Sequence, residues 1–343
     1  MQISDFDFFL PDELIAQTPL EKRETSRMLT LDRRRNLIQD KNFYDLPDFL
    51  KAGDVLVLNN TKVFPARLFG ESETGAKIEI FLVKETENDV WETLARPAKR
   101  LKIGKTIIFS DKLFAEVLEK TEEGRVFIKF EADGNFDEIL DEIGKTPLPP
   151  YIKRDDGNFD KDRERYQTVF AKNRGAIAAP TAGLHFTPEI LEKVKNLGVT
   201  VTEVTLHVGY GTFEPVRVSD LSEHKVLPEN YEITEKTAEI LNQAKSENRR
   251  IIAVGTTSTR TLENAISKNG KFVAEKSLAE LTITPEYEFK AIDGLLTNFH
   301  LPQSSLLVLV STFGGYDFIM NAYRHAVAEK YRFYSYGDCM LIL

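Results

Sequence analysis

Lys77–Val83 reads KIEIFLV. A short alternating run of this kind fits a half-buried strand, in which successive side chains face opposite sides. Thr106–Phe109, Phe114–Val117 and Arg125–Phe130 (RVFIKF) share the texture. Turn signals separate them at Gly75, Asn88-Asp89, Pro97, Gly104, Gly124 and Gly134. Short strands at this spacing predict a small all-β unit, a barrel. Pro147-Leu148-Pro149-Pro150 follows as a stiff extended connector.

On either side the texture changes. Val55–Leu58 (VLVL) predicts a buried strand just before the β unit, and beyond it strands alternate with helices. Thr187 is placed to cap a helix with Pro188 at its first position and Glu189 in its first turn. That helix stops near Gly198, and Val199–Leu206 reads as a strand. Thr234 opens a helix to about Ser246, and Ile251–Val254 is a strand. Gly255–Thr259 is expected to be a turn with a helix from Arg260. Tyr316–Lys330 is expected as a long helix and Arg332–Leu343 as a final strand. The fold class expected is α/β. A main α/β domain, discontinuous over 1–62 and 150–343, is interrupted by an all-β, barrel-like insertion domain at 63–149.

A chain of 343 residues has room for two such domains. Its 42% hydrophobic and 29% charged content places it among soluble globular proteins. The longest apolar run, Leu306–Val310, is far short of a membrane span, and the acidic start MQISDFDFFLPDE lacks a signal pattern. A single cysteine, Cys339, excludes an internal disulfide framework and fits a reducing cytoplasm, with a buried structural thiol as its plain role. A net charge of −9 argues against indiscriminate nucleic-acid coating. Distribution matters more: Arg96, Lys99, Arg100, Lys102 and Lys105 form a basic run without an acidic residue, and Arg33–Arg35 form another. A solvated face accounts for either as well as a phosphate track does.

Polar residues also stand where the surrounding sequence is apolar enough for a core. Leu295–Gly315 (LLTNFHLPQSSLLVLVSTFGG) is the densest case. Ala178–Thr187 (AAPTAGLHFT), Thr205–Pro215 (TLHVGYGTFEP) and Ala253–Arg260 (AVGTTSTR) share its character. Buried polar groups are costly unless paired, so these stretches predict one polar pocket built from several loops. Ala253–Arg260 lacks P-loop spacing, and Gly209-Tyr210-Gly211 lacks the third glycine of a dinucleotide fingerprint. There is no GxSxG elbow. The histidines His185, His207, His224, His300 and His325 show no metal-ligand spacing, so no metal is expected. His185, His207 and His300 each lie in a polar loop and can serve as acid or base or as satisfied structural residues. His325 reads as a surface residue, and Glu214 shares a loop with His207. Residue types alone end here, at a soluble α/β enzyme with a polar pocket of undetermined chemistry.

The chain resembles, nearly end to end, the S-adenosylmethionine:tRNA ribosyltransferase-isomerase family of queuosine biosynthesis. LPDELIAQTPLEKRETSRML (10–29), GDVLVLNNTKVFPARLFG (53–70), RPAKRLKIG (96–104) and PLPPYIKR (147–154) carry the resemblance. YQTVFAKNRGAIAAPTAGLHFT (166–187), LHVGYGTFEPV (206–216) and VGTTSTRTLE (254–263) continue it. TNFHLPQSSLLVLVSTFGG (297–315) and YRFYSYGDCMLIL (331–343) close it. The resemblance implies transfer of the ribosyl part of S-adenosylmethionine to 7-aminomethyl-7-deazaguanine at the tRNA wobble position. The product is epoxyqueuosine, with release of adenine and methionine. It also implies a tRNA with a GUN-type anticodon as partner, S-adenosylmethionine as co-substrate, no prosthetic group, a monomer, and a cytoplasmic location.

Carried onto this sequence, the resemblance marks His185, His207, His300 and Glu214 as catalytic candidates. Thr181, Gly183, Gly209, Gly211, Thr256, Thr257, Arg260 and Asn298 are candidates for binding, with Arg260 expected to hold a carboxylate or phosphate. The run Arg96, Lys99, Arg100, Lys102 and Lys105 is the candidate grip on tRNA. The chain departs from the family pattern at Asn60, Lys62, Tyr210 and Leu227, where Asp, Arg, a small residue and a histidine are expected. Two other readings compete: a nucleoside-cleaving hydrolase, and a tRNA-binding module with a vestigial pocket.

Overall fold

The computed structural model describes residues 1–154, 160–213 and 216–343. Strands β1 (Arg27–Asp32) and β2 (Leu37–Asn42) form a hairpin, and β3 (Val55–Asn59) follows. A short β4 (Thr61–Val63) leads into six strands: β5 (Arg67–Ser72), β6 (Lys77–Glu87), β7 (Val90–Arg96), β8 (Thr106–Ile108), β9 (Leu113–Lys120) and β10 (Arg125–Ala132). They close into an antiparallel barrel in the order β10-β7-β6-β5-β8-β9. Helices α1 (Phe136–Ile143) and α2 (Asp160–Arg165) precede β11 (Asn173–Ala176), which pairs in parallel with β4. The chain continues through α3 (Pro188–Asn196), β12 (Thr200–Leu206), β13 (Glu229–Ile233), α4 (Glu235–Ser246), β14 (Ile251–Val254) and α5 (Gly255–Asn269). It ends with β15 (Glu275–Ala279), β16 (Gly294–Asn298), α6 (Ser305–Gly314), α7 (Tyr316–Ala328) and β17 (Cys339–Ile342).

The main sheet has the order β15-β13-β12-β3-β14-β16-β17-β1-β2. Its centre is parallel and buried on both faces, so β3 (VLVLN) up to Leu58 and β14 (IIAV) are runs of apolar residues instead of alternating with polar ones. The pleat divides them. Val55, Val57, Ile251 and Ala253 pack with the α4–α7 side. Leu56, Leu58, Ile252 and Val254 pack under α3 and the turn around Phe43. The barrel has a separate core that includes Leu68, Ile78, Ile80, Leu82, Val126 and Ile128, with β6 buried at every second residue along its first half. The α/β class with a barrel insertion is therefore present.

Two local expectations are corrected. The turn expected at Gly255–Thr259 is the first turn of α5, because Gly255 at φ +89° completes the reversal from β14 in one residue. The strand expected over Arg332–Leu343 shrinks to Cys339–Ile342. Asp338 draws the chain into a loop, its carboxylate accepting from the backbone N–H groups of Arg27 and Arg332. Among the described residues no single helix is long and apolar enough to cross a membrane. Cys339 is buried.

Candidate active site

β14 and β16 run in parallel side by side, and the loops at their carboxyl ends wall a cavity of about 530 Å³. A ligand site beside the strand ends is the common arrangement in α/β sheets. Gly255, Thr256, Thr257 and Arg260 arrive from the start of α5, and Asn298 to Ser305 from the segment between β16 and α6. Thr181 adds a third edge, and Gly211 a fourth. The hydroxyls of α5 divide between two tasks. Ser258, Thr259 and Thr261 donate to the carbonyls of Val254, Gly255 and Thr257, which satisfies them inside the helix. Thr256 and Thr257 are left at the cavity, with Thr257 Oγ1 also accepting from Asn59 Nδ2 at 3.2 Å.

His300 is the cavity histidine. Its Nε2 lies 2.9 Å from Thr297 Oγ1, and its backbone N–H donates to the Tyr323 hydroxyl. Burial pushes its pKa down to about 3, so the ring is neutral at ordinary pH. His185 stands behind the wall, between Ser26 Oγ at 2.7 Å and Asn298 Oδ1 at 3.0 Å. Burial pushes it down to about 4, and the Arg23 and Arg332 charges add to that. His207 does not line the cavity. Its Nδ1 lies 2.8 Å from Thr61 Oγ1, and burial lowers its pKa. A Cβ at Gly175 would sit 2.7 Å from that nitrogen, so the glycine lets the backbone approach the ring. His224 meets Ser305 Oγ at 2.7 Å, and His325 is bonded to Asp40 near the surface.

Arg260 reaches the cavity, but protein groups occupy most of its guanidinium. Nη1 donates to Glu229 at 2.7 Å, Nη2 to the carbonyls of Leu227 and Ala279, and Nε to Leu281 O. Burial lowers its pKa against the raising effect of Glu229. Gly209 donates its N–H to the other Glu229 oxygen at 2.8 Å and so orders its loop without touching the cavity. Gly183 packs under Phe170 and Thr168, where a Cβ would come within 2.8 Å of the ring. Arg96, Lys99, Lys102 and Lys105 are exposed at the β7–β8 side of the barrel, and Lys105 pairs with Glu73 at 3.2 Å. Glu214 and the Arg100 side chain lie outside the described residues. Among the described residues no group of three metal-ligating side chains gathers.

Comparison with known proteins decides the family. Residues 3–342 match the family model for the queuosine biosynthesis protein. The chain belongs to that family. The S-adenosylmethionine:tRNA ribosyltransferase-isomerase of Desulfitobacterium hafniense is 50% identical over the full length of both chains. Its namesake in Staphylococcus saprophyticus is 51% identical, again over the full length of both. Among solved structures, S-adenosylmethionine tRNA ribosyltransferase from Thermotoga maritima is similar, with 38% identity and a TM-score of 0.56. The match covers 99% of this chain and 100% of that one.

The four departures from the family pattern are accommodated away from the cavity or at its rim. Asn60 bridges Glu203, Asn173 and Thr205 through its side chain, in place of a carboxylate. Lys62 is exposed on β4. Tyr210 packs edge-on against Phe81 of the barrel and lies under the Arg125 guanidinium, so it ties the loop to the insertion. Leu227 is half exposed and packs over Gly211. Reading residue types did not single out Glu229, Tyr151, Tyr166, Tyr334 or Ser335, all of which line the cavity. The tyrosine-rich stretch 331–338 (YRFYSYGD) held the available signal.

Proposed function

We propose that this chain is an S-adenosylmethionine:tRNA ribosyltransferase-isomerase that moves the ribosyl moiety of S-adenosylmethionine onto 7-aminomethyl-7-deazaguanine at the wobble position of a GUN-type anticodon. The observation that carries the reading is the cavity. At about 530 Å³ it lies within the range of small-molecule sites, and family stretches that are far apart in sequence converge on it. A neutral histidine, threonine hydroxyls and tyrosine rings share its wall with the charge-neutralised Arg260–Glu229 pair.

The chemistry asks for these types of group. The sulfonium of S-adenosylmethionine acidifies the adjacent C5′ protons, so a base can remove one and leave an ylide. Collapse of the ylide breaks the glycosidic bond and expels adenine, which takes up a proton. The substrate amine then attacks, and methionine leaves as the epoxide closes. His300 in its neutral form can offer one ring nitrogen to a ligand at the cavity while Nε2 meets Thr297 Oγ1. The insertion, taken as residues 63–149, bears the basic run on the anticodon stem. The protein works as a cytoplasmic monomer.

The test is incubation of the purified protein with S-adenosylmethionine and tRNA carrying 7-aminomethyl-7-deazaguanine, followed by nucleoside mass spectrometry. Epoxyqueuosine with stoichiometric adenine supports the reading. Adenine without altered tRNA replaces it with a hydrolase, and tRNA binding without turnover replaces it with a binding module.

A further inference from the structure

We infer that Tyr334 is the wall on which a purine-type ring stacks inside the cavity, and that Ser26, His185 and Asn298 form the hydrogen-bonded chain that holds it there. This rests on the function proposed above, because that reaction brings two such rings into one site: the adenine of S-adenosylmethionine and the 7-deazaguanine of the tRNA.

The chain of contacts fixes its own polarity. Asn298 Nδ2 donates to the carbonyls of Tyr334 at 2.9 Å and Ser335 at 3.3 Å. Its Oδ1 therefore faces His185 and accepts from Nε2–H at 3.0 Å. Nδ1 of the same ring is then the acceptor for the Ser26 hydroxyl at 2.7 Å. Both ring nitrogens are used, so His185 positions Asn298 and through it the Tyr334–Ser335 turn. It does not exchange protons with a ligand.

Tyr334 is costly as mere core filler. Its backbone sits at φ +74°, a region that bulky side chains disfavour. Its hydroxyl is buried without a partner among the described residues. Strain of this kind persists where surrounding contacts over-determine it, and such sites gather where ligands bind. The contacts are present here. The Tyr334 N–H donates to Phe299 O, and its carbonyl accepts from Gly337 as well as Asn298. The ring lies 3.9 Å from that of Tyr151, centre to centre, and the Tyr151 hydroxyl is fixed by Ser335 Oγ at 2.6 Å. Both rings line the cavity that holds His300 and Thr256. The result is a rigid aromatic face beside polar edges, which suits a flat heteroaromatic ring.

The full-length protein tests this by calorimetry with S-adenosylmethionine and by tRNA turnover, using Tyr334→Leu and Tyr334→Phe. If adenine is the stacked ring, Tyr334→Leu weakens S-adenosylmethionine binding about ten-fold or more, and Tyr334→Phe recovers most of it. If the 7-deazaguanine is stacked, cofactor binding holds and KM for the modified tRNA rises by that factor. A folded Tyr334→Leu that changes neither overturns the inference. Should Tyr334→Leu fail to fold, near-UV circular dichroism of the wild type decides. The tyrosine band must respond to S-adenosylmethionine or to the modified tRNA, and not to S-methylmethionine, which has the sulfonium and no base. No response to either substrate overturns the inference. His185→Ala is expected to show the same KM-against-kcat pattern as Tyr334→Leu with the pH profile unchanged in shape, and His185→Gln, which can still donate to Asn298, to recover activity. Loss of a limb of the pH profile, or rescue of His185→Ala by added imidazole, would make His185 a proton carrier and overturn its positioning role. A wild type that neither binds S-adenosylmethionine nor modifies tRNA fails the proposed function and this inference together. An active wild type with an indifferent Tyr334→Leu fails this inference alone.

Discussion

The Arg260 guanidinium and the Glu229 carboxylate stand 2.7 Å apart in the cavity wall, each less than a tenth exposed. They arise on α5 and at the start of β13, and the pair joins those elements while the other Glu229 oxygen holds Gly209. Removing one partner strands a buried charge, so Glu229→Ala is expected to cost on the order of 3 kcal/mol in urea unfolding. Glu229→Gln keeps an acceptor for Gly209 and should cost less. A Glu229→Ala protein within half that figure of the wild type would show the pair to be dispensable.

His300→Ala is expected to stay folded and to lower kcat by about a hundred-fold or more, the usual effect of removing one positioned hydrogen-bonding group from an active site. The ring is held near pKa 3 by burial, so it does not titrate near pH 6.5 in the folded protein. The wild-type pH–rate profile should therefore show no limb there that His300→Ala abolishes. Full turnover in the variant removes His300 from the reaction.

Acid stability follows from the same burial. His185 and His300 have folded pKa values of about 4 and about 3 against 6.5 when solvated. Depression favours the neutral ring in the fold, so below pH 6.5 the unfolded chain binds more protons. The histidine contribution is whole above about pH 6.5 and is lost as pH falls toward the folded values. Each ring adds a slope of up to about 1.4 kcal/mol per pH unit in that window. His185→Gln should remove one ring's share of the slope between pH 4.5 and 6.5 in denaturant titrations. Parallel stability curves for variant and wild type would contradict this.

If the barrel grips tRNA, replacing Lys99 and Lys102 with Gln should flatten the plot of log affinity against log salt by roughly one unit for each phosphate no longer neutralised. Both side chains are exposed, so folding should be unaffected. An unchanged slope places the RNA elsewhere on the surface.

The barrel and the sheet core were legible in sequence because period-two patterns and all-apolar strands report directly on burial, as in KIEIFLV and IIAV. The Gly255 turn was not. A glycine followed by β-branched hydroxyl residues reads as a loop unless the back-bonding of Ser258 and Thr259 to the helix carbonyls is known. The polar stretches marked the pocket, yet they could not separate His300, which faces it, from His185, which braces it from behind. That difference lies in contacts with Ser26 and Asn298, 159 and 113 residues away in the chain. Glu229 and Tyr334 were assigned no role for a related reason: a lone carboxylate and one tyrosine among several carry no periodicity.

β1 lies between β17 and β2, with Met28 in register with Cys339. An early strand thus waits for a partner, β17, that is made long after the barrel. At a synthesis rate of roughly 5–20 residues per second, about 10–40 s separate completion of the barrel from emergence of that partner. During the interval the barrel can already close on its own contacts, while β1 and β2 remain a two-stranded hairpin without their parallel neighbour, too small to be stable alone. A ribosome stalled before β17 emerges would therefore hold a finished insertion attached to an unfinished sheet. The nascent chain would be open to proteolysis around β1 and β2 and resistant in the barrel.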